Sequence, residues 1–412
     1  MARIVVRAGT LVDGLDNPPV RDGIVEIVDD RITGVYEGSV PGGISDDAHV
    51  IDLGDAVLLP GLVCCHSHLN LPGDGTLPWD FVKEGENVLA LTSARNARTA
   101  LMSGVTTMRD NGGLGRTTFD LKRAVELGYA EGPRLILCGQ PVTITGGHCH
   151  YFGGEADGVE GTVQKIRQLC KAGADYVKVM GTGGGSPGSL SWRRQYSREE
   201  MAAMVAEAHR AGRKISVHCL SADAMVDAAE TGADQVEHAG FFTGPTAQEF
   251  NWDLAQRVGA TGVYASATNC VSYHTLKALL AKETLTTEDQ NLIDYRNRML
   301  EQNLYQVKKL TEAGMRFVAG PDSGWLWTTF DCMADEIYLL QQAGLSTLEA
   351  INAGTGRAAE ALGIESQVGA LKPGLMADII AVEKNALDDL RKLSDVRMVM
   401  KGGRVLTRQA RP

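Results

Sequence analysis

Eight short apolar stretches alternate with helix-like runs between residues 56 and 324, and no other feature of the chain narrows its fold as far. They are AVLLPGLVCCHSH (56–68), VTTMRDNGG (105–113), RLILCGQPVT (134–143), YVKVMGTGGG (176–185), KISVHCL (214–220), QVEHAG (235–240), TGVYASAT (261–268) and RFVAGPDSG (316–324). Among the runs between them are TVQKIRQLCKAGA, SREEMAAMVAEAHRAG and NRMLEQNLYQVKKLTEAG. The second opens on Ser197 with Glu200 three residues later, a capping box, and ends at Gly212. Such alternation predicts a parallel sheet with helical crossovers. Eight units predict an α/β fold of the (β/α)8 TIM-barrel type, whose working residues stand at the C-terminal ends of the strands. His66, His68, Asp110, His148, Lys178, His218, His238 and Asp322 all fall at that end.

The two ends of the chain have another texture. RIVVRAGTLVDG and GIVEIVDDRITGVYEG near the start, and GLMADIIAVEK and DVRMVMKGGRVL near the end, are β-branched segments broken by glycine turns. They predict a small β-sandwich domain built from residues 1–55 plus 368–412, beside a barrel domain of residues 56–367. A length of 412 residues suits one large domain with a satellite. The formal net charge of −11 argues against nucleic acid and anionic membranes as partners and leaves a small molecule. No run of eighteen apolar residues is present, so no membrane span is expected. MARIVVRAGTLVDG reads without a signal peptide, and the eight cysteines then read as free thiols of a cytoplasmic protein.

Chemistry enters with His66 and His68. Side chains two apart on a strand point the same way, so the pair could chelate a metal from one face. Alone, such a pair is as readily explained by hydrogen bonds to carbonyls. Lys178 shifts the balance, because it stands between two valines in DYVKVMG and faces the interior if they face the helices. A buried charged lysine is costly unless paired or altered. Carbamylated by CO2, it becomes an anionic oxygen donor that can bridge two cations. With His218, His238 and Asp322 at later strand ends, the set suits two divalent metals sharing an oxygen bridge.

At this point the chain resembles the amidohydrolase superfamily in its two-metal, carboxylated-lysine form, within the prolidase-like and imidazolonepropionase-related branch. The resemblance runs nearly end to end, through GLVCCHSHLN, ARTALMSGVTTMRDNGG, GGHCHYFGGEADG, AGADYVKVMGTGGGSP, ISVHCL, VEHAG, AGPDSG and VGALKPGLMADIIAV. It implies that His66, His68 and Asp322 hold one metal, that His218 and His238 hold the other, and that Lys178 bridges them. Zinc is the default for such a donor set, with manganese and cobalt open. It also implies a homo-oligomer, and a substrate-contacting role for His148 on a carboxylate or a developing oxyanion. The chain departs from the branch at Asn111, in GVYASATNCVSY and in NAGTGRAAEALG, which touches substrate identity rather than the metal ligands.

The expected reaction is hydrolysis of an amide C–N bond by a metal-bridging hydroxide, with Asp322 as base and then acid. Candidate substrates are dipeptides such as Xaa-Pro, N-acyl amino acids and cyclic amides. An alternative is a carboxylate-free aryl amide, urea or carbamate. One-metal deamination fits less well, since Lys178 is present and no glutamate follows His218 in CLSADAM. A binding scaffold without activity would have lost metal ligands. His150 and Tyr264 are further candidates for substrate contact, against plain readings as a loop and a core residue. Arg109 and Asp110 read as a salt bridge or hydrogen bonds in the barrel mouth. GTGGGSPGS is not followed by a Gly-Lys-Ser/Thr, so it reads as backbone lining the site. Adjacent Cys64 and Cys65 read as core fillers.

Overall fold

The computed structural model describes residues 3–244 and 249–406, so residues 1–2 and 407–412 of the expected terminal domain lie outside it. The chain begins with strands β1 (Arg3–Leu11), β2 (Val20–Val28), β3 (Arg31–Glu37), β4 (His49–Asp52) and β5 (Val57–Pro60). Then come β6 (Leu62–Ser67), β7 (Val105–Asp110), β8 (Arg134–Leu137), β9 (Val177–Met180), β10 (Ile215–His218), β11 (Gln235–Glu237), β12 (Tyr264–Ser266) and β13 (Arg316–Val318). The last three are β14 (Ile379–Val382), β15 (Val396–Lys401) and β16 (Arg404–Leu406).

Each of the eight expected strands is present, and all of their pairings are parallel. β6, β7 and β8 form one sheet, and β9 to β13 form a second in chain order. Single parallel bridges, Val142 with Val179 and Ser67 with Ser323, link the two sheets. The Val142 amide donates to the Lys178 carbonyl at 2.8 Å, and the His68 amide donates to the Ser323 carbonyl at 2.7 Å. These links hold Lys178 beside the end of β8, and Asp322 beside the end of β6. Between the strands run helices that include Gly158–Ala172, Arg198–Arg210 and Thr287–Glu312.

Val177, Val179, Ile215, Val217 and Val236 pack with Met201, Met204 and Ala228 of the helix layer in one buried cluster. Alternation along β9 then turns Lys178 to the opposite face. The expected cap of Arg198–Arg210 is present: the Ser197 hydroxyl accepts from the Glu200 amide, and the Glu200 carboxylate accepts from the Ser197 amide. The helix expected from residue 297 instead starts at Thr287, capped by Thr286 and Asp289.

Both termini build one eight-stranded sheet, ordered β16-β15-β14-β5-β1-β2-β3 with β4 on β1. Its buried residues Val6, Leu11, Val25 and Ile27 cluster with Ile379, Ala381 and Met400 from the far end of the chain. The first expected apolar stretch is divided. Val57–Pro60 pairs with β1 and β14, while Leu62–Ser67 enters the parallel sheet. Gly61 marks the break, where a Cβ would meet the Thr106 hydroxyl at 2.2 Å.

Candidate metal centre and its cavity

His66, His68, Lys178, His218, His238 and Asp322 line one open-mouthed cavity of about 210 Å³ at the C-terminal ends of the parallel strands. The His66 and His68 Nε2 atoms lie 3.4 and 3.3 Å from Asp322 Oδ1. The imidazole rings follow one another around the wall, His66 to His238 at 4.9 Å between centroids and His238 to His218 at 4.4 Å. His66, His238 and Asp322 offer donor atoms that all lie within 4.8 Å of one another.

A second layer of groups fixes which nitrogen each ring presents. His66 Nδ1 is bonded to Glu237 Oε2 at 2.8 Å, His68 Nδ1 to the Gly112 carbonyl at 3.3 Å, and His238 Nδ1 to the Thr268 hydroxyl at 2.9 Å. In each, Nε2 is left for the cavity. His218 is turned the other way, with Nε2 on the Gly183 carbonyl at 3.2 Å. Burial pushes His68, His218 and His238 well below the ordinary imidazole range, so they are neutral, the form that donates to a metal.

The donor set carries a further mark of a cation site. His66 Nε2, Lys178 Nζ and Asp322 Oδ1 are buried without a hydrogen-bond partner. Buried polar atoms in a native protein are paired almost without exception, and three orphans facing one space fit a ligand group. Lys178 is only 1% exposed, and burial lowers its affinity for a proton. Four imidazoles, one carboxylate and a buried amine make an N/O set suited to a divalent cation.

The backbone is bent to serve this arrangement. Asp322 (φ +61°), His238 (φ +68°), Ala239 (φ +46°), Thr268 (φ +52°) and Cys149 (φ +60°) are left-handed, although none is glycine. Each such residue costs on the order of 1–3 kcal/mol, and together they concentrate strain around one cavity. Gly320 lets the strand carrying Asp322 approach His66, since a Cβ there would stand 2.7 Å from His66 Cβ.

His148 belongs to the same cavity. The Ser186 hydroxyl accepts the Cys149 amide proton and sits 2.8 Å from His148 Nδ1. Burial, with Lys178 nearby, pushes the His148 pKa down to about 3. Gly184, from the glycine-rich segment, passes against this ring, and Gly185 lines the cavity.

The other two expected substrate contacts are placed elsewhere. His150 turns back to the Gly147 carbonyl at 2.9 Å, with its ring against Tyr151. Tyr264 stands at the start of β12 under the Arg316 guanidinium, in a cluster with Val63, Val318 and Ala358, and does not line the cavity. Asp110 accepts from the Leu69 amide at 2.7 Å, and Arg109 pairs with Glu237. Cys64 and Cys65 are buried thiols pushed up by desolvation, Cys65 to about 12, which leaves them unreactive.

The residue that sequence reasoning missed is Glu237. It is wholly buried and takes hydrogen bonds from His66, Arg109, Ser266 and Gln235. Burial alone would raise its pKa, but Arg109, Lys178 and His66 hold it well below the carboxylate range. Its signal was its place directly before His238.

Comparison with known proteins agrees with this geometry. The model of the amidohydrolase family matches residues 57–406. Ochratoxinase of Aspergillus niger is 28% identical over 441 residues, covering 97% of this chain and 86% of its own. A solved Xaa-Pro dipeptidase with bound methionine superposes with a TM-score of 0.85 at 25% identity, covering 98% of this chain and all of its own. The solved A. niger ochratoxinase gives 0.80 at 25% identity, over 98% of this chain and 95% of its own.

Proposed function

The chain belongs to the amidohydrolase family and is a hydrolase of C–N bonds, and from that premise we propose a metal-dependent amidase whose centre is His66, His68, Lys178, His218, His238 and Asp322. The observation that carries the reading is the trio of orphaned buried atoms, His66 Nε2, Lys178 Nζ and Asp322 Oδ1. His66, His68 and Asp322 would hold one divalent cation and His218 and His238 a second, with carbamylated Lys178 between them and zinc as the default ion. The parallel strands β6 to β13 are read as one (β/α)8 barrel joined at the Val142–Val179 and Ser67–Ser323 bridges. The terminal sheet is read as a sandwich-like satellite of residues 1–55 plus 368–412.

When bound, two such cations make water acidic enough to ionise near neutral pH and polarise a carbonyl. The chain's own groups handle the rest. The buried Asp322 carboxylate accepts the proton that the attacking water gives up and passes it to the departing nitrogen. The C–N bond breaks, the acyl carbon gains the hydroxyl, and the amine gains the proton. His148, buried and neutral, donates a hydrogen bond to the carbonyl oxygen as negative charge develops there. Glu237 moves no proton; it keeps the His66 ring oriented.

Metal analysis of purified protein with an amine-release assay on small amides tests the reading. Two bound ions per chain and metal-dependent release are expected. Full activity after exhaustive chelation would overturn it.

A further inference from the structure

Outside the main cavity, Cys270, His274 and Cys332 offer donor atoms that all lie within 4.8 Å of one another. Among the described residues, only this cluster and the cavity's own His66, His238 and Asp322 bring three such donors together. Cys270 and His274 stand four apart on the helix Cys270–Leu280 and so share a face. Cys332 immediately precedes the helix Met333–Gln342, whose Glu336 fixes the Cys270 amide at 2.9 Å. Asp335 Oδ2 stands 2.9 Å from His274 Nε2, so a carboxylate is at hand to orient the imidazole. Each thiol donates to a carbonyl, Cys270 to Cys332 at 3.6 Å and Cys332 to Thr329 at 2.8 Å. A surface pocket lined by His274, Thr329, Cys332 and Asp335 gives an ion its way in.

We propose that Cys270, His274 and Cys332 form a further cation site, separate from the main cavity, that takes up a zinc ion from solution on two thiolates and an imidazole. Donors about 2.0–2.3 Å from a tetrahedral zinc stand about 3.3–3.8 Å apart, a spacing that small side-chain rotations reach from here. Thiolate with imidazole selects zinc over magnesium and calcium, and three protein donors leave the fourth position to water. Binding forms two S–Zn bonds and breaks two S–H bonds, and both protons leave to solvent. Burial pushes the Cys270 thiol well up, so this proton release lowers affinity. The site therefore fills on exposure to zinc rather than holding the ion through purification. Its place gives the ion a task. Thr268, two residues before Cys270, holds His238 Nδ1 at 2.9 Å, and the hydroxyl of Ser323, next to Asp322, lies 3.5 Å from Cys332 Sγ. An ion here clamps together the two segments that support His238 and Asp322.

Cobalt tests the site, because it takes the place of zinc and gives a sulfur-to-metal charge-transfer band in the near ultraviolet only where a thiolate binds it. Purified protein, kept reduced with a phosphine, would be titrated with Co2+. The band should rise to saturation, and zinc added in excess should abolish it. Cys270→Ala and Cys332→Ala should each remove it. Asp335→Asn, whose carboxylate is partly exposed, should weaken cobalt binding about ten- to hundredfold. Cys149→Ala, which takes away the one thiol lining the main cavity, should leave the band intact. No band in reduced wild type overturns the site, as does a band that survives in folded Cys270→Ala and Cys332→Ala or one that is lost in Cys149→Ala. If the two cysteine variants do not fold, unchanged cobalt affinity in both His274→Gln and Asp335→Asn overturns it instead. The band is read without amide hydrolysis, so its outcome is independent of the catalytic reading.

Discussion

His66 Nδ1 meets Glu237 Oε2 at 2.8 Å, while the other oxygen of that carboxylate takes the Arg109 guanidinium. One buried acid thus sets the tautomer of a candidate metal ligand on β6 and ties β7 to β11. Carboxylates behind metal-bound histidines raise ligand basicity and typically contribute 10–100-fold in metal affinity. Glu237→Gln should weaken metal binding by about that factor, measured by competition with a chelator. It should also cost on the order of 3–5 kcal/mol in unfolding, because Arg109 stays buried without its charge. Unchanged metal affinity would remove Glu237 from the support of the centre.

Lys178 and Asp322 face the same space but have different tasks, and their variants should part accordingly. Lys178→Ala removes the proposed bridging donor, so bound metal and activity should disappear together. Asp322→Asn keeps an oxygen donor but no base, so metal should remain while kcat falls by about 10²–10⁴. Metal content and turnover measured on the same preparations check both. An active Asp322→Asn protein would show that another group carries the proton.

Glu336 is buried behind the cavity and accepts the amides of Asn269 at 3.2 Å and Cys270 at 2.9 Å. Burial pushes its pKa up to about 7 from an ordinary 4.5. The unfolded chain releases this proton near its ordinary value, whereas the folded chain holds it to about neutrality. The folded state therefore binds more protons inside that window, and stability must fall as pH rises through it, levelling above the folded pKa. The loss is at most about 3 kcal/mol. Urea midpoints at pH 5 and pH 8 should differ less in Glu336→Gln than in wild type. An identical difference in both would assign the slope to other groups.

The strands, their order and the six clustered side chains were legible in the sequence because strand alternation and strand-end position place them directly. Glu237 was hidden by the same rule. It precedes His238, and strict alternation would send the two to opposite faces. The strand ends at Glu237, and the left-handed turn at His238 and Ala239 brings the next side chain inward as well. Tyr264 was misplaced by depth rather than by face: it opens β12, whereas the cavity lies at the other end. The division at Gly61 was invisible because both halves of the stretch are equally apolar and buried.

Gly184 gives the sharpest separation between catalysis and stability. Its backbone is free of left-handed strain, yet a Cβ there would stand 2.6 Å from His148 Nε2. The ring cannot yield easily, because Ser186 holds Nδ1 at 2.8 Å and Gln195 holds the His148 amide at 2.8 Å. Gly184→Ala should therefore displace the imidazole by up to about an ångström, and such a displacement can cost about a hundredfold in rate. Metal content should be retained, since His148 is outside the donor set, and the melting temperature should move little. Kinetics, metal analysis and thermal melts on the one variant separate these effects. Wild-type kcat/KM in Gly184→Ala would mean that His148 makes no contact with the reacting carbonyl, and the oxyanion would then have to be stabilised by the metal centre alone.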